Sequence, residues 1–93
     1  MKAALLISRR IVLAEDAFAE LKVWHVPTSV PASAHGYKYR LAYVVRDECL
    51  LRYDNERGKG DHKHVGEVEQ PYSFSTIETL IDDFFRDIEG LRP

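Results

Sequence analysis

Apolar and polar side chains alternate along the middle of the chain with a period of two. In "YKYRLAYVVR" every second position is apolar, namely Tyr37, Tyr39, Leu41, Tyr43 and Val45. Lys38 and Arg40 occupy positions between them. Because successive side chains of a strand point to opposite faces, this pattern predicts a β-strand with one apolar face, and it places Lys38 and Arg40 together on the other face.

Further β-rich runs lie on both sides of this strand. Ala3 to Leu13 and Ala17 to Val26 predict a first hairpin around "AED", with a bulge near Ser8 to Arg10. The proline-containing stretch "PTSVPASAHG" predicts a connection. After a turn at Arg46 to Glu48, "CLLRYD" predicts the partner of the central strand, and a further strand can begin at "DHKHVG". The pattern favours an antiparallel meander.

The period changes to that of a helix in "SFSTIETLIDDFFRDIEGLRP". Apolar residues recur at helical spacing at Ile77, Leu80, Ile81, Phe84, Phe85 and Ile88. Ser75 and Glu78 predict a capping box, and Gly90 with Pro93 predicts the end of the helix. One apolar stripe and one apolar sheet face predict the α+β class, with a curved antiparallel sheet of about four to five strands and one C-terminal amphipathic helix packed on one face.

Composition limits the size and the cellular location of the protein. A chain of 93 residues predicts a single domain, residues 1–93, with room for one core. The lone Cys49 excludes a disulfide framework, and Arg9 and Arg10 interrupt the apolar start too early for a signal peptide or a membrane span. These features predict a cytoplasmic protein. The segment through Val65 carries eleven Lys and Arg against eight acidic residues, whereas the remainder carries two against seven. This asymmetry fits an anion-binding body beside an acidic C-terminal segment, and it equally fits a solvated acidic helix face.

The stretch "YDNERGKGDHKH", Tyr53 to His64, concentrates ionisable side chains and two glycines. In an extended conformation His62 and His64 point to one face, roughly 6.5 to 7 Å apart at their Cα atoms, while Lys63 points away. The two histidines can therefore flank one phosphate or one metal ion.

Three chemistries fit this stretch. In the first, His62 and His64 act as general base and general acid on a phosphodiester, and Lys59 or Arg57 stabilises the developing charge. In the second, Asp54, Asp61, His62 and His64 bind a divalent metal, because mixed carboxylate and imidazole ligands suit Mn, Zn or Fe.

In the third, "RGKG" is a nest in which Gly58 and Gly60 let backbone amides converge on an anion. Its spacing is not that of a Walker A loop. A solvated turn explains the same residues without any chemistry, since Asn55 and the two glycines are turn formers. His25 and His35 are expected to be structural.

The order of these segments resembles the TumE-type proteins, a family of toxin components of prokaryotic toxin–antitoxin pairs. The resemblance runs through "KAALLISRR", "HGYKYRLAYVV", "RYDNERGKGDHKH" and the acidic C-terminal helix, and thus covers nearly the whole chain. It implies a toxin whose partner is a helix-turn-helix antitoxin, and it brings no catalytic residue with it.

By analogy with other small bacterial toxins, action on RNA is expected, as a ribonuclease using the 53–64 loop. Lys38 and Arg40 would then contact phosphates. The alternative is a non-enzymatic toxin or binding module that inhibits its target by occupying it. The tyrosines of the central strand belong either to the sheet core, to a homodimer contact or to an RNA-stacking surface.

Overall fold

A computed structural model of the chain describes residues 3–27, 33, 35–56 and 59–92. Within these residues, six strands form one antiparallel sheet and one helix follows the last strand. Their bounds are β1 Ala4–Ala14, β2 Ala17–His25, β3 Tyr37–Val45, β4 Glu48–Glu56, β5 Gly60–Val65, β6 Val68–Pro71 and α1 Ile77–Leu91. Each strand pairs with the next one along the chain. The predicted α+β class and the meander are therefore confirmed.

Two details of the sheet differ from the prediction. The sheet has one strand more, because β6 consists of four exposed residues ending at Pro71 and so lacks the apolar alternation that marks the other strands. Proline is tolerated there because β6 is an edge strand. The predicted bulge at Ser8 to Arg10 is wrong, since the irregularities of β1 lie between Leu5 and Ile7 and between Val12 and Ala14.

Two-residue turns fix the register of the strands. The β3–β4 turn consists of Arg46 and Asp47, which both have positive φ angles, 51° and 65°. This is the backbone of a turn that matches the twist of a hairpin. The β5–β6 turn has Gly66 at its first position with φ 60°. With loops this short, the facing residues of neighbouring strands are determined by the turns.

The core lies between α1 and one face of the sheet. The odd-numbered positions of β2, β3 and β4 supply most of it. Leu80, Phe84 and Ile88 of α1 are at most 1% exposed, and Ile77, Ile81 and Phe85 pack against them as partly buried residues. The helix therefore lies on the apolar face of the sheet, as predicted.

The ends of α1 differ from the prediction. Thr76, not Ser75, caps the helix, because its Oγ1 accepts a hydrogen bond from the amide of Thr79 at 3.1 Å. At the other end the helix continues through Gly90 to Leu91. The described part of the chain contains no helix that is both long and apolar enough to cross a membrane.

Two tyrosine hydroxyls form hydrogen bonds with α1, one from β4 and one from the segment that follows β6. Tyr53 and Tyr72 each donate a hydrogen bond to a helix carboxylate, Tyr53 to Asp87 and Tyr72 to Asp83, the latter at 2.6 Å. Lys63 Nζ also lies 2.9 Å from Asp87. Burial raises the pKa of the Tyr53 and Tyr72 hydroxyls well above the usual value, and the neighbouring carboxylates raise it further.

The first prediction concerns the packing of α1. Phe84→Ala is expected to lower the free energy of unfolding by about 3 to 5 kcal/mol, because it empties a fully buried site. Denaturant unfolding of the purified protein measures this loss. The control is Asp82→Ala on the exposed side of the same helix, which should change stability by less than about 0.5 kcal/mol. Equal effects of the two substitutions would show that the stripe is not the core.

A second prediction follows from the tyrosines. Their folded-state pKa values lie above the unfolded value, so the native state keeps protons that the unfolded chain loses above about pH 10. Stability should be undiminished below that pH and should then fall by about 1.4 kcal/mol per pH unit for each such group. Tyr53→Phe should make this slope shallower. Denaturation midpoints measured between pH 8 and pH 11 test the sign, and a slope unchanged by the substitution would contradict the assignment.

Candidate functional site

The even-numbered positions of β2 to β5 form the sheet face that is turned away from α1, here called the open face. Opposite residues of antiparallel strands share a face, so the strand register identifies its members. The polar and aromatic ones are Lys22, Trp24, Lys38, Arg40, Arg52, Asp54, His62 and His64. The open face is therefore the charged side of the sheet.

Asp54, His62 and His64 converge on the open face and are here called the Asp–His cluster. Asp54 of β4 lies directly opposite His62 of β5, and His64 is two residues further on the same face. One ligand atom from each residue lies within 4.8 Å of the other two. Part of the sequence-predicted site is thus brought together by the β4–β5 pairing alone.

His62 is held in one orientation at the centre of the cluster. Its side chain is nearly inaccessible, and its Nδ1 lies 3.0 Å from the carbonyl oxygen of Gly60. Because a carbonyl only accepts, Nδ1 carries the proton of this hydrogen bond. Gly60 supplies that carbonyl from a backbone with φ 76°, a conformation that favours glycine. In the neutral ring, Nε2 is therefore left with its lone pair.

The second nitrogen of His62 faces a carboxylate. Nε2 lies 2.6 Å from Oδ1 of Asp54. The contact does not follow the direction of an N–H bond, and both atoms are buried without a hydrogen-bond partner among the described residues. A short N–O separation without alignment is not a hydrogen bond, so the two groups are in contact without being bonded.

Three further side chains surround the cluster. The His64 ring stands edge to face with His62, 5.0 Å between centroids. Arg52 lies opposite His64, and its Nε is 3.0 Å from Oδ2 of Asp54. Glu69 of β6 also lies opposite His64, with Oε1 3.9 Å from Nε2 of His62.

Asp61 and Lys59 lie apart from this cluster. Asp61 accepts a hydrogen bond from Ser33 Oγ at 2.5 Å, and its Oδ2 lies 2.7 Å from His35 Nε2. It lines a cleft of about 330 Å³ together with His35, Lys59 and Phe74. Since Asp61 alternates with His62, its side chain points to the other face of the sheet. Asp61 thus ties the connection before β3 to β5.

The remaining predicted residues divide into two groups. Gly60 begins β5 and is buried, and its carbonyl orients His62. Arg57 and Gly58 lie outside the described residues, so the predicted phosphate nest at "RGKG" lies only partly within them.

The geometry of the cluster fits a metal site better than it fits acid–base catalysis by two histidines on either side of a phosphodiester. Edge-to-face rings 5.0 Å apart leave no space for a phosphodiester between His62 and His64. A metal ion, by contrast, binds imidazole and carboxylate ligands at about 2.0 to 2.2 Å, which the convergence of Asp54, His62 and His64 favours. Of the four ligands considered in the sequence, Asp61 does not join this group.

Cations line the open face beside the cluster. Arg40 lies directly opposite Asp54, and Lys22 lies directly opposite Arg40. Lys38 is on the same face two residues from Arg40. These three cations are exposed and form no ion pair with another described side chain. The four strands thus present a row of Lys22, Arg40, Asp54 and His62.

The sequence did not single out Lys22, Trp24, Arg52 and Glu69 as site residues. Their signal lies in strand register, which local patterns do not contain. Of these four residues, Glu69 could most readily have been predicted from the sequence. The stretch "VGEV" allows a two-residue glycine turn, which would place Glu69 opposite His64.

Comparison with known proteins identifies the family. A family model described as "Toxin TumE" matches residues 2–92. The chain belongs to the TumE toxin family. Searches of curated proteins and of solved structures gave no match. Membership confirms the resemblance seen in the sequence, assigns a toxin role and implies an antitoxin partner.

The structural role of Asp61 gives a third prediction. Asp61→Asn should lower the free energy of unfolding by about 1 to 3 kcal/mol, because it weakens charge-assisted hydrogen bonds to His35 and Ser33. Thermal or denaturant unfolding measures the change. The exposed Asp82→Asn is the control and should be nearly neutral. A stable Asp61→Asn protein that has lost its toxicity would instead assign Asp61 to the functional site.

Proposed function

We propose that this toxin inhibits growth by cleaving RNA, and that the reaction takes place at the Asp–His cluster on the open face. The observation that supports this proposal is the cross-strand row in which Lys22 and Arg40 lead directly to Asp54 and His62. A phosphodiester bound by the two cations would lie beside the imidazole and carboxylate groups.

The pairing of Lys22 with Arg40 suggests an anionic ligand. Like charges directly opposite each other on neighbouring strands are destabilising. Neither side chain forms an ion pair with an acid among the described residues. An RNA backbone would remove this repulsion by placing phosphates between and above the two cations, with release of counterions.

An aromatic side chain is available next to these cations. Trp24 is partly exposed and lies directly opposite Lys38 on the open face. An indole can stack on any base, so it would hold single-stranded RNA without selecting a sequence. The tyrosines considered earlier are less suited, because Tyr39 is 1% exposed and Tyr37 packs against Phe74.

The position of the acidic helix also favours RNA binding on the open face. Asp83 and Asp87 of α1 bond to Tyr72 and Tyr53 on the other side of the sheet. Negative charge repels phosphate, so an RNA chain on the open face would avoid the helix.

We extend the proposal to the partner of the toxin and to its location. The protein would be the toxin of a type II pair, neutralised by a helix-turn-helix antitoxin, and would act in the cytoplasm where its substrate is made. Occupation of the open face by the antitoxin would block both the cations and the cluster.

A fourth prediction tests the cluster directly. His64→Gln should abolish growth inhibition and lower RNA cleavage by about a hundredfold or more, the usual contribution of a group that acts on the reacting atoms. His64 is partly exposed, so the variant should fold. Induction in a bacterial host at matched soluble expression and cleavage of labelled RNA by purified protein measure both effects.

The matched control is His25→Gln, since His25 is exposed and its ring stands edge to face with Tyr37, 5.7 Å between centroids. It should remain toxic. Full toxicity of His64→Gln would remove the cluster from the mechanism. Tight RNA binding without any cleavage by the wild-type protein would instead favour the alternative, a toxin that acts by occupancy.

A fifth prediction tests the RNA path. Arg40→Gln should weaken RNA binding and lower the slope of log affinity against log salt by about 0.7, the value for one phosphate contact on a single strand. Arg86→Gln is the control, because Arg86 is also an exposed arginine but lies on α1, where it pairs with Asp83. Binding titrations at several salt concentrations distinguish the two, and equal losses would place the RNA elsewhere.

A further inference from the structure

The Asp–His cluster has three properties that a set of acid–base residues does not require. Its ligand atoms converge, its central imidazole is held by a hydrogen bond to a backbone carbonyl, and its inner atoms lack hydrogen-bond partners among the described residues.

Convergence alone places two imidazoles and one carboxylate within reach of a common point. The atoms of Asp54, His62 and His64 lie within 4.8 Å of one another. Two ligands of a metal bound at about 2.0 to 2.2 Å are separated by roughly 3 to 3.5 Å. An outward movement of under about 1 Å would bring the 2.6 Å contact of Asp54 and His62 to that separation.

The hydrogen bond that holds the His62 ring is typical of a metal-binding histidine. Metal-bound histidines donate their other ring N–H to a carbonyl or carboxylate, which fixes the tautomer and directs the lone pair at the ion. In this chain Nδ1 of His62 bonds to the Gly60 carbonyl, so Nε2 presents its lone pair to the cluster. Nε of Arg52 lies 3.0 Å from Oδ2 of Asp54 without an aligned hydrogen bond, and Oδ1 is the Asp54 oxygen that faces His62.

The buried atoms without partners are the third observation. His62 is 3% exposed and Asp54 is 8% exposed, yet neither Nε2 of the former nor Oδ1 of the latter has a hydrogen-bond partner among the described residues. Nε2 of His64 is also buried and unpartnered. Nε2 of His62 and Oδ1 of Asp54 lie 2.6 Å apart without bonding to each other, and a cation between them would bind both, in addition to the Arg52 guanidinium that lies 3.0 Å from Oδ2.

From these observations we infer that Asp54, His62 and His64 form a binding site for one divalent first-row transition metal ion. Mixed imidazole and carboxylate ligands suit Mn, Fe or Zn better than Mg or Ca. Glu69 lies opposite His64, and its Oε1 is 3.9 Å from Nε2 of His62. It is therefore placed to supply a fourth ligand, through a carboxylate oxygen. The inference stands on this geometry and does not rest on RNA cleavage.

Such an ion would supply a Lewis acid or an activated water on the open face, next to Arg40. The chain's own contributions are separate from it. His62 and Asp54 would bind the ion from the inner side of the site and His64 and Glu69 from its outer side. Arg40 and Lys22 would bind the phosphate backbone of the proposed substrate.

The experiment uses the full-length protein stripped with chelator and then titrated separately with Mn²⁺, Co²⁺ and Zn²⁺. Calorimetry should show one saturable site for at least one of these ions, with a rise in the melting temperature. Bound Co²⁺ should give the visible absorption of a nitrogen and oxygen ligand set.

His64→Gln and Asp54→Asn should each weaken this affinity by more than about 10- to 100-fold, since loss of an outer hydrogen-bond partner already costs that much. His25→Gln should keep the wild-type affinity. His62→Gln should weaken the affinity as well. His62 is buried, so if this variant does not fold, the result rests on His64→Gln and Asp54→Asn. Absence of saturable binding, or binding that both variants retain, would overturn the inference.

A parallel assay separates this inference from the proposed function. RNA cleavage is measured with chelator alone and after addition of each ion. Metal binding without any cleavage contradicts the ribonuclease and leaves the metal site standing. Equal cleavage with and without chelator, together with no metal binding, contradicts the metal site and leaves the ribonuclease standing.

Discussion

The pairing of β4 with β5 is the constraint on which the candidate site depends. It places Asp54 opposite His62, and the alternation of β5 then sends His62 and His64 to one face and Asp61 and Lys63 to the other. A shift of one residue would exchange the two sets. Lys63 would leave Asp87 of the helix, and both histidines would enter the apolar core. The packing of the helix and the assembly of the cluster are therefore consequences of one register.

This division gives the two faces of the sheet different roles. One face is covered by α1 and carries the apolar core, with Tyr53 and Tyr72 bonded to helix carboxylates. The other face carries cations, an indole and the Asp–His cluster. A small protein gains from this arrangement, because the residues that stabilise it and the residues that would act on a substrate do not compete for the same positions. His62 and Asp54 are exceptions to this separation, because they belong to the candidate site and are nevertheless buried.

The sequence predicted those features that depend on local periodicity. The alternation in β3 and the apolar stripe of α1 were sufficient for the fold class, the meander and the helix on one face. The predictions failed for the strand β6, for the position of the bulges in β1 and for the Thr76 cap. These features depend on the local backbone conformation, which the pattern of apolar and polar residues does not determine.

The site was predictable only within one strand. The spacing of His62 and His64 showed that they share a face, but the residues that join them come from other strands. Asp54, Arg52 and Glu69 reach the histidines through hairpin register. Asp61, adjacent to His62 in sequence, lies on the opposite face with His35. Proximity in the chain was therefore a poor guide to proximity in the site.

In the proposed function, RNA binds to the open face and not to the helix side of the protein. Nuclear magnetic resonance of the labelled protein, titrated with a 2′-O-methylated RNA whose 2′ oxygen cannot attack the phosphodiester, measures where the RNA binds. Trp24, the only tryptophan in the chain, supplies an indole signal on the open face. The account predicts saturable shifts for this indole, for Arg40 and for His64, with the α1 signals of Asp82 and Arg86 unmoved. Shifts confined to α1, with the Trp24 and His64 signals unchanged at saturation, would contradict it.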